Sequence, residues 1–266
     1  MELESARMVY FSPTGTTRSV VRSIVRGANP GRAQSVDITL PAARQAPLHV
    51  SDQELLVVGI PVYVGRMPAL LADWLGALQA PGTPTVCIVV YGNREYEDAL
   101  LELSDTLRQG GCIPFAGAAF IGEHSFSDAQ APIAPGRPDP DDLRQAESFG
   151  RRLREKLQSV ASAAQLRPIQ VPGVRPYRRD SKLWHVEFME VGAECSQCGV
   201  CAERCPAGAI DPGDARRVDP ARCISCCACI KDCPQQARRM RPGPVREAQL
   251  RLHANCRARK EPEWFV

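Results

Sequence analysis

Several features are missing from this sequence of 266 residues, and each absence excludes a class of protein. There is no run of about 18 or more apolar residues, so we predict no membrane-spanning helix. The first residues lack the charged, apolar and small-residue segments of a secretory signal, so we expect a cytoplasmic protein with reduced cysteines. The formal net charge is +3, and the arginine-rich stretches at 175–179 and 251–260 are typical of a solvated linker and tail, so we expect no nucleic-acid partner.

Cysteine, by contrast, is abundant, and most of it lies in two short runs. The spacing C-x2-C-x2-C-x3-C-P occurs twice and uses eight of the twelve cysteines. The first run is Cys195, Cys198, Cys201 and Cys205, and the second is Cys223, Cys226, Cys229 and Cys233. In bacterial proteins with two 4Fe-4S clusters, the fourth cysteine of each such run ligates the other cluster. We therefore predict one cluster on Cys195, Cys198, Cys201 and Cys233, and a second on Cys205, Cys223, Cys226 and Cys229.

Zinc ligation and disulfide bonding account less well for these cysteines. Zinc sites with four cysteines usually have a longer stretch between ligand pairs, and disulfides require an oxidising compartment. Cys227 is an additional thiol within the second run, so the third ligand there is either Cys227 or Cys229, and the spacing favours Cys229. Because this segment has little hydrophobic core, we expect it to fold only together with its iron.

The first part of the chain, to about residue 163, alternates apolar runs with amphipathic stretches, which predicts an α/β fold with a parallel sheet. Strands are predicted at 8–11, 35–40, 55–60, 85–91 and 113–121. Helices are predicted at 18–26, 68–78 and 96–108, with a last helix that begins near 139. Pro47 interrupts any helix between the second and third strands, so we expect a short or irregular crossover there.

Hydroxyl-bearing residues lie directly after the first predicted strand, at the start of the first helix. They are Ser12, Thr14, Thr16 and Thr17, with Gly15 between them. In an open α/β sheet, ligands bind at the carboxyl ends of the strands, and a helix N-terminus offers free N–H groups to a phosphate. The Gly-Lys-Ser/Thr ending of a P-loop is absent. The pattern predicts a phosphate-binding loop, with capping of the helix by the hydroxyls as the alternative.

The motif Ser-x-Thr-Gly-x-Thr resembles the phosphate loop of flavodoxins, and the cysteine runs are similar to those of bacterial two-cluster ferredoxins. The whole chain therefore resembles the flavodoxin-ferredoxin fusion proteins of anaerobes. The resemblance implies FMN on a doubly wound, parallel, five-stranded sheet of order 2-1-3-4-5, joined to a small domain with two 4Fe-4S clusters. The predicted boundaries are 1–163 for the flavodoxin-like domain, 164–190 for a linker, 191–240 for the ferredoxin domain and 241–266 for a tail.

The resemblance also implies that loops after the third and fourth strands surround the flavin ring. Tyr63 and Tyr96 are the candidates to stack on it, with ordinary packing as the alternative for either ring. Gly65 lies in the first of these loops and is a further candidate contact. In the second loop, Gly92 and Asn93 are candidates to present backbone groups to the pyrimidine edge of the flavin.

Three charged or titratable residues near these loops carry chemical hypotheses. Arg66 or Arg94, if close to the N1–O2 edge of the ring, would stabilise reduced anionic flavin and favour two-electron reduction; the alternative is that both point into solvent. His124 follows the fifth strand and is a candidate catalytic proton donor with a pKa near neutrality. A local hydrogen-bonding role is the alternative for this histidine.

A chain with both kinds of centre is expected to be an electron-transfer protein, and in the first interpretation an oxidoreductase. A cluster passes one electron at a time whereas FMN holds one or two, so the chain would couple one-electron carriers to a two-electron donor or acceptor. We expect a redox partner protein, and a quinone or another small acceptor; the absence of a second Gly-x-Gly-x-x-Gly motif weakens the nicotinamide option. Two alternatives stay open, namely a redox-responsive binding or regulatory module and a pure electron shuttle without its own substrate.

Overall fold

A mostly parallel sheet forms the centre of the computed structural model, which describes residues 1–180 and 186–266. The strands of this sheet are β1 (Ser5–Tyr10), β2 (Arg32–Asp37), β3 (Glu54–Pro61), β4 (Pro84–Tyr91), β5 (Ile113–Ile121) and β8 (Glu263–Phe265). The order β2-β1-β3-β4-β5 confirms the predicted order, and these five strands are parallel. The prediction of five strands is wrong by one, because β8 from the predicted tail pairs antiparallel with β5.

Helices cover both faces of this sheet. They are α1 (Thr16–Ala28), α2 (Ala72–Gly76), α3 (Ala99–Gln109) and α4 (Pro140–Gln158). Helices α1 and α4 bury apolar side chains such as Val20 and Phe149 on one face, and α2 and α3 bury Leu75 and Leu100 on the other. The apolar run of β3 is buried because both of its faces are covered. The crossover from β2 to β3 contains a single 3-10 turn, Pro41–Arg44, as the irregular-crossover prediction required.

The cysteine runs lie in a second, smaller part of the structure, called here the cysteine unit (residues 189–240). Its strands β6 (Met189–Val191) and β7 (Arg238–Met240) pair antiparallel. One short helix contains the third cysteine of each run. Helix α5 (Val200–Glu203) contains Cys201, and helix α6 (Ala228–Lys231) contains Cys229. Both helices are single turns, so this unit has little regular structure of its own.

The two runs repeat in conformation as well as in sequence. The second residue after each first cysteine, Gln197 and Ser225, has a positive φ in both runs, 58° and 53°. The sulfur of each fourth cysteine accepts a hydrogen bond from the backbone N–H four residues further on, at 3.2 Å for Cys205 and 3.3 Å for Cys233. The cysteine unit therefore consists of two copies of one backbone turn.

The predicted linker and tail pack against the α/β part of the chain. Arg175 forms an ion pair with Asp105, and Arg178 forms one with the fully buried Asp98. Both arginine side chains are still more than half exposed, in keeping with the expectation of a solvated basic linker. The tail contains helix α7 (Pro244–Asn255) and then β8. Residues 181–185 of the predicted linker lie outside the described residues. Within the described ranges, none of the helices has the length and apolar character needed to cross a membrane.

Candidate functional site

The hydroxyl-bearing loop lies between β1 and α1, where the sequence analysis expected it. Gly15 occupies the N-cap of α1 with a φ of 85°, a conformation that glycine adopts without steric cost. The Ser12 hydroxyl accepts a hydrogen bond from the Arg18 N–H at 3.0 Å, so the capping alternative holds for this residue. The Gly15 N–H bonds the Ser12 carbonyl at 3.2 Å and closes the turn. The loop is thus a tight turn that leads directly into the N-terminus of a helix.

Thr17 provides the clearest sign that this loop binds a polar group. Its side chain is 1% exposed, and its Oγ1 atom makes no hydrogen bond within the described part of the chain. Its methyl group contacts β3, since a Cβ added to Gly59 would lie 3.1 Å from Thr17 Cγ2. An unpaired buried hydroxyl costs stability unless a ligand supplies the partner. The loop therefore fits a bound phosphate.

A cavity of about 520 Å³ lies beside this loop, at the carboxyl ends of β1, β3, β4 and β5. This volume is in the range of roughly 300–1,000 Å³ that is usual for small-molecule sites. Of the residues predicted from the sequence, those that line the cavity are Ser12, Thr14, Thr16, Thr17, Tyr63, Gly92, Arg94 and His124. The structure therefore brings the loops after β1, β3, β4 and β5 together around one space.

Asn93 and Tyr96 of the β4 loop do not line the cavity, and their side chains bond elsewhere. The backbone contact predicted for Asn93 and the ring contact predicted for Tyr96 stay predictions. The Tyr96 ring packs against Tyr91 at a centroid distance of 5.5 Å, and its hydroxyl donates to Glu263 Oε2 at 2.8 Å. The Asn93 side chain donates to the carbonyl oxygens of Cys256 and Ala258, both at 2.8 Å. Both side chains therefore hold the C-terminal segment against the sheet.

Gly65 and Arg66 of the β3 loop also do not line the cavity, and their predicted flavin contacts stay predictions. The Arg66 guanidinium forms two hydrogen bonds to the Glu102 carboxylate, at 2.8 and 2.7 Å, and points toward α3. Gly65 packs against Glu97, since an added Cβ would lie 2.2 Å from Glu97 Oε2. Of the two candidate arginines, Arg94 lies at the cavity, and its Nη1 pairs with Glu97 Oε1 at 2.7 Å.

The β3 loop also contains a strained residue at the cavity wall. Tyr63 and Arg66 exchange both of their backbone hydrogen bonds, at 3.0 and 2.9 Å, around Val64 and Gly65. Both central residues have positive φ, 49° for Val64 and 80° for Gly65. A positive φ is rare for a β-branched side chain. Val64 is therefore held in an unfavourable conformation beside the ligand cavity.

His124 lines the cavity, but its pKa differs from the predicted value. Its ring packs against Gly92, where an added Cβ would lie 2.3 Å from His124 Cδ2. Its Nδ1 accepts the Phe126 N–H at 3.0 Å, which leaves the proton of the neutral ring on Nε2. Burial, with smaller contributions from Lys231 and Arg94, lowers the pKa of His124 to about 4. The prediction of a pKa near neutrality is wrong, and the imidazole is neutral at pH 7.

The second predicted set of cluster ligands lies together in the structure. Cys205, Cys223, Cys226 and Cys229 line one small cavity, of about 20 Å³, in the cysteine unit. Burial, together with the proximity of the other three thiols, raises the pKa of Cys226 well above its usual value. Iron binds cysteine as thiolate, so binding of a cluster must remove the proton of each of these thiols. Without a cluster, burial favours the protonated thiol. Four thiols around a shared space are the donor set of a 4Fe-4S cluster.

Cys227 has a different place from these thiols. It occupies the N-cap of α6 with a φ of 57°, the position that Gly199 occupies at the start of α5. Its sulfur is 3.7 Å from the Ser225 carbonyl oxygen, and its side chain packs with Phe188 and Val245. These contacts support Cys229 as the third member of the set, although Cys227 also borders the small cavity.

The first predicted set is more open to solvent. Cys198 is exposed, and its sulfur is 3.6 Å from Gln235 Oε1. Cys201 is buried beside Ile210. Among residues 1–180 and 186–266, no three His, Cys, Asp or Glu side chains converge as they would on a single metal ion. A cubane cluster does not require such convergence, because each of its thiolates binds a different iron.

Sequence analysis missed the contribution of the C-terminal segment. Ala248, Arg251, Leu252 and Asn255 of α7, followed by Cys256, line the large cavity. The Gln249 side chain donates to the Phe126 carbonyl oxygen at 2.5 Å and fixes α7 on the loop after β5. A proline at the first turn, followed by apolar residues at helical spacing, was the available signal for a helix here. It gave no indication of where the helix packs.

Comparisons with known proteins match parts of the chain. No protein-family model matches. An uncharacterised protein of Methanothermobacter thermautotrophicus is 42% identical over 65 residues, which are 24% of this chain and 14% of that protein. The thiosulfate reductase electron transfer subunit PhsB of Salmonella typhi is 32% identical over 76 residues, which are 28% of this chain and 40% of that protein. The chain thus spans less than half the length of either curated relative.

Solved structures give matches of low sequence identity. A flavodoxin from the domain Archaea is 17% identical and has a TM-score of 0.40, with 58% of this chain and 99% of that chain covered. An apo form of the NADH:FMN oxidoreductase EMOB is 16% identical and has a TM-score of 0.42, with 61% and 95% covered.

Proposed function

We propose that this chain binds FMN and two 4Fe-4S clusters and transfers electrons between them, coupling one-electron carriers to a two-electron donor or acceptor. One observation carries the proposal. The cavity beside the hydroxyl-bearing loop has Ile224 and Ser225 of the second cysteine run in its wall. A phosphate loop and a cysteine run thus contribute to the same space.

The proposed FMN site uses the loop after β1 for the phosphate. Thr17 Oγ1 has the free hydrogen-bonding capacity to donate to a phosphate oxygen, and the α1 N-terminus adds backbone N–H groups and a favourable dipole. Tyr63 and Gly92 are positioned on the wall where the ring would lie. Bound FMN accepts one or two electrons, whereas each cluster exchanges one, and this difference is the chemical basis of the coupling.

The remaining cavity residues would shape the environment of the ring. His124, neutral at pH 7, offers its Nε2–H as a hydrogen-bond donor but holds no ionisable proton near neutrality. Leu252 and Ala248 of α7 give one side of the cavity an apolar lining. Arg94 retains its positive charge at the wall, although Glu97 compensates it in part. These residues bind and orient a ligand without supplying a strong acid.

The proposed cluster ligands are the eight cysteines of the two runs, in the crossed arrangement predicted from their spacing. All twelve cysteines of the chain are free of disulfide bonds. The partial match to a protein named as an electron transfer subunit supports the same class of function. A redox protein would supply or accept single electrons, and a quinone or similar small molecule would exchange two electrons at the flavin.

Oxygen-free purification followed by iron, sulfide and flavin analysis tests the proposal. We expect about eight irons, about eight sulfides and one FMN per chain. Iron at about half that level or lower, or failure to bind FMN, would contradict it. Arg66 provides a control for the flavin site, because it pairs with Glu102 away from the cavity, and Arg66→Lys is expected to retain FMN.

A further inference from the structure

We infer that the two cluster sites have different positions in the path of electrons. The inner site, Cys205, Cys223, Cys226 and Cys229, is adjacent to the flavin cavity and exchanges electrons with it. The outer site, Cys195, Cys198, Cys201 and Cys233, faces solvent and exchanges electrons with the partner protein. This inference rests on the proposed function and adds the order of the centres to it.

The inner site and the flavin cavity share a wall. Ile224 lines both the large cavity and the small cavity bounded by the inner cysteines. Ser225 lies next to it, 6% exposed, and also lines the large cavity. In the α/β part, Tyr63 of the β3 loop lines the same large cavity as Ile224 and Ser225. A single layer of residues therefore separates the two spaces.

The corresponding residues of the first run face away from the flavin cavity. Gln197, the counterpart of Ser225, is exposed and bonds within its own unit, to Asp214 at 3.1 Å and to the Ala215 N–H at 2.8 Å. Cys198 is exposed, whereas its counterpart Cys226 is 7% exposed. The internal repeat thus presents one run to the flavin and the other to solvent.

Contacts between the two parts of the chain keep this orientation. Lys231, at the end of α6, pairs with Glu123 after β5 at 2.9 Å, and the two side chains are 28% and 30% exposed. On the opposite side, Arg44 donates to the Pro206 carbonyl oxygen at 2.7 Å. Pro206 follows directly after Cys205, a ligand of the inner site. The inner site is therefore held against the α/β part by one contact from each run, through Lys231 of the second run and through Pro206 at the end of the first run.

The order of electron transfer follows from this arrangement. Two molecules of a reduced one-electron carrier would each lose one electron to the outer site, and each electron would pass to the inner site and then to FMN. FMN held in the large cavity would accept two electrons in total, with protons taken up from water. With a two-electron donor at the flavin, the order would be reversed. Electron tunnelling slows steeply with distance, so direct transfer from the outer site to FMN would be slower.

Electron paramagnetic resonance of the reduced holoprotein tests the assignment, with FMN bound and after its removal. Cys226→Ser alters one ligand of the inner site, and Cys198→Ser alters the matching ligand of the outer site. We expect FMN removal to change one cluster signal, the same signal that Cys226→Ser changes. If the FMN-sensitive signal is the one that Cys198→Ser changes, or if removal affects both signals equally or neither, the assignment is wrong.

A second measurement leaves all ligands intact. Ser225→Trp and Gln197→Trp place an indole at matching positions of the two runs. We expect Ser225→Trp to raise the Kd for FMN by about tenfold or more, and Gln197→Trp to change it by less than about twofold. Equal effects would overturn the order of the sites. Wild-type protein that lacks FMN or one cluster would instead refute the proposed function, before either variant is compared.

Discussion

Replacement of Thr17 by valine should have opposite effects on the ligand-free protein and on FMN binding. Thr17→Val keeps the shape of a buried side chain and removes a hydroxyl that has no hydrogen-bond partner in the described residues. Without FMN, the loss of an unsatisfied buried polar group should stabilise the protein by about 1 kcal/mol. With FMN, the loss of a hydrogen bond to a charged phosphate should weaken binding by about 1.5–3 kcal/mol.

This free-energy change corresponds to a roughly 10- to 150-fold increase in the Kd for FMN. Titration of FMN-free protein with FMN, followed by the quenching of flavin fluorescence, measures the affinity, and thermal denaturation of the same sample measures stability. Ser23→Ala is the matched control, because Ser23 is a buried hydroxyl of α1 outside the cavity. Its Kd should equal that of the wild type. An unchanged Kd in Thr17→Val, or a loss of stability without FMN, would refute the assignment of the phosphate loop.

Three further predictions concern the cavity wall. Val64→Asn should raise stability by about 1 kcal/mol in thermal denaturation, because asparagine tolerates the positive φ at this position; a clear loss would show that Val64 is not strained. Gly92→Ala should lower stability by about 1–3 kcal/mol and weaken FMN binding, because the Cβ of the alanine would overlap the His124 ring. An unchanged stability and an unchanged Kd for FMN would contradict that packing. In an NMR titration, His124 should stay neutral until about pH 4. Because an unfolded histidine is protonated below about pH 6.5, acidification from about pH 6.5 to about pH 4 should lower the stability of the folded protein. Titration of His124 near its ordinary pKa of about 6.5 would contradict its burial.

The parallel sheet could be predicted from the sequence because its signals are local. Each central strand is a continuous apolar run, and each amphipathic stretch has the period of a helix. The strand β8 could not be found in this way, because three residues, Glu263–Phe265, carry no periodicity. Its position depends on pairing with β5, which lies far away in sequence.

Residues of the candidate site could be predicted where the position of the backbone alone brings them to the cavity. They could not be predicted where a distant side-chain partner decides which way a residue points. The residues of the loop after β1 line the cavity because a strand end and a helix start fix them there. Arg66 and Tyr96 also lie in the expected loops, but their partners Glu102 and Glu263 direct them elsewhere. Such distant pairings have no signature in the spacing of residues, and the same holds for the placement of α7 over the cavity.

A rapid-mixing experiment under oxygen-free conditions distinguishes electron transfer inside one polypeptide from electron transfer between two molecules. Oxidised holoprotein is mixed with less than one equivalent of a reduced one-electron carrier, and the absorbance of the clusters and of the flavin is followed separately. We expect the clusters to be reduced first and the flavin then to be reduced at a rate independent of protein concentration. Transfer inside one polypeptide would be contradicted if the rate of flavin reduction rose in proportion to protein concentration. It would also be contradicted if the clusters stayed reduced and the flavin stayed oxidised.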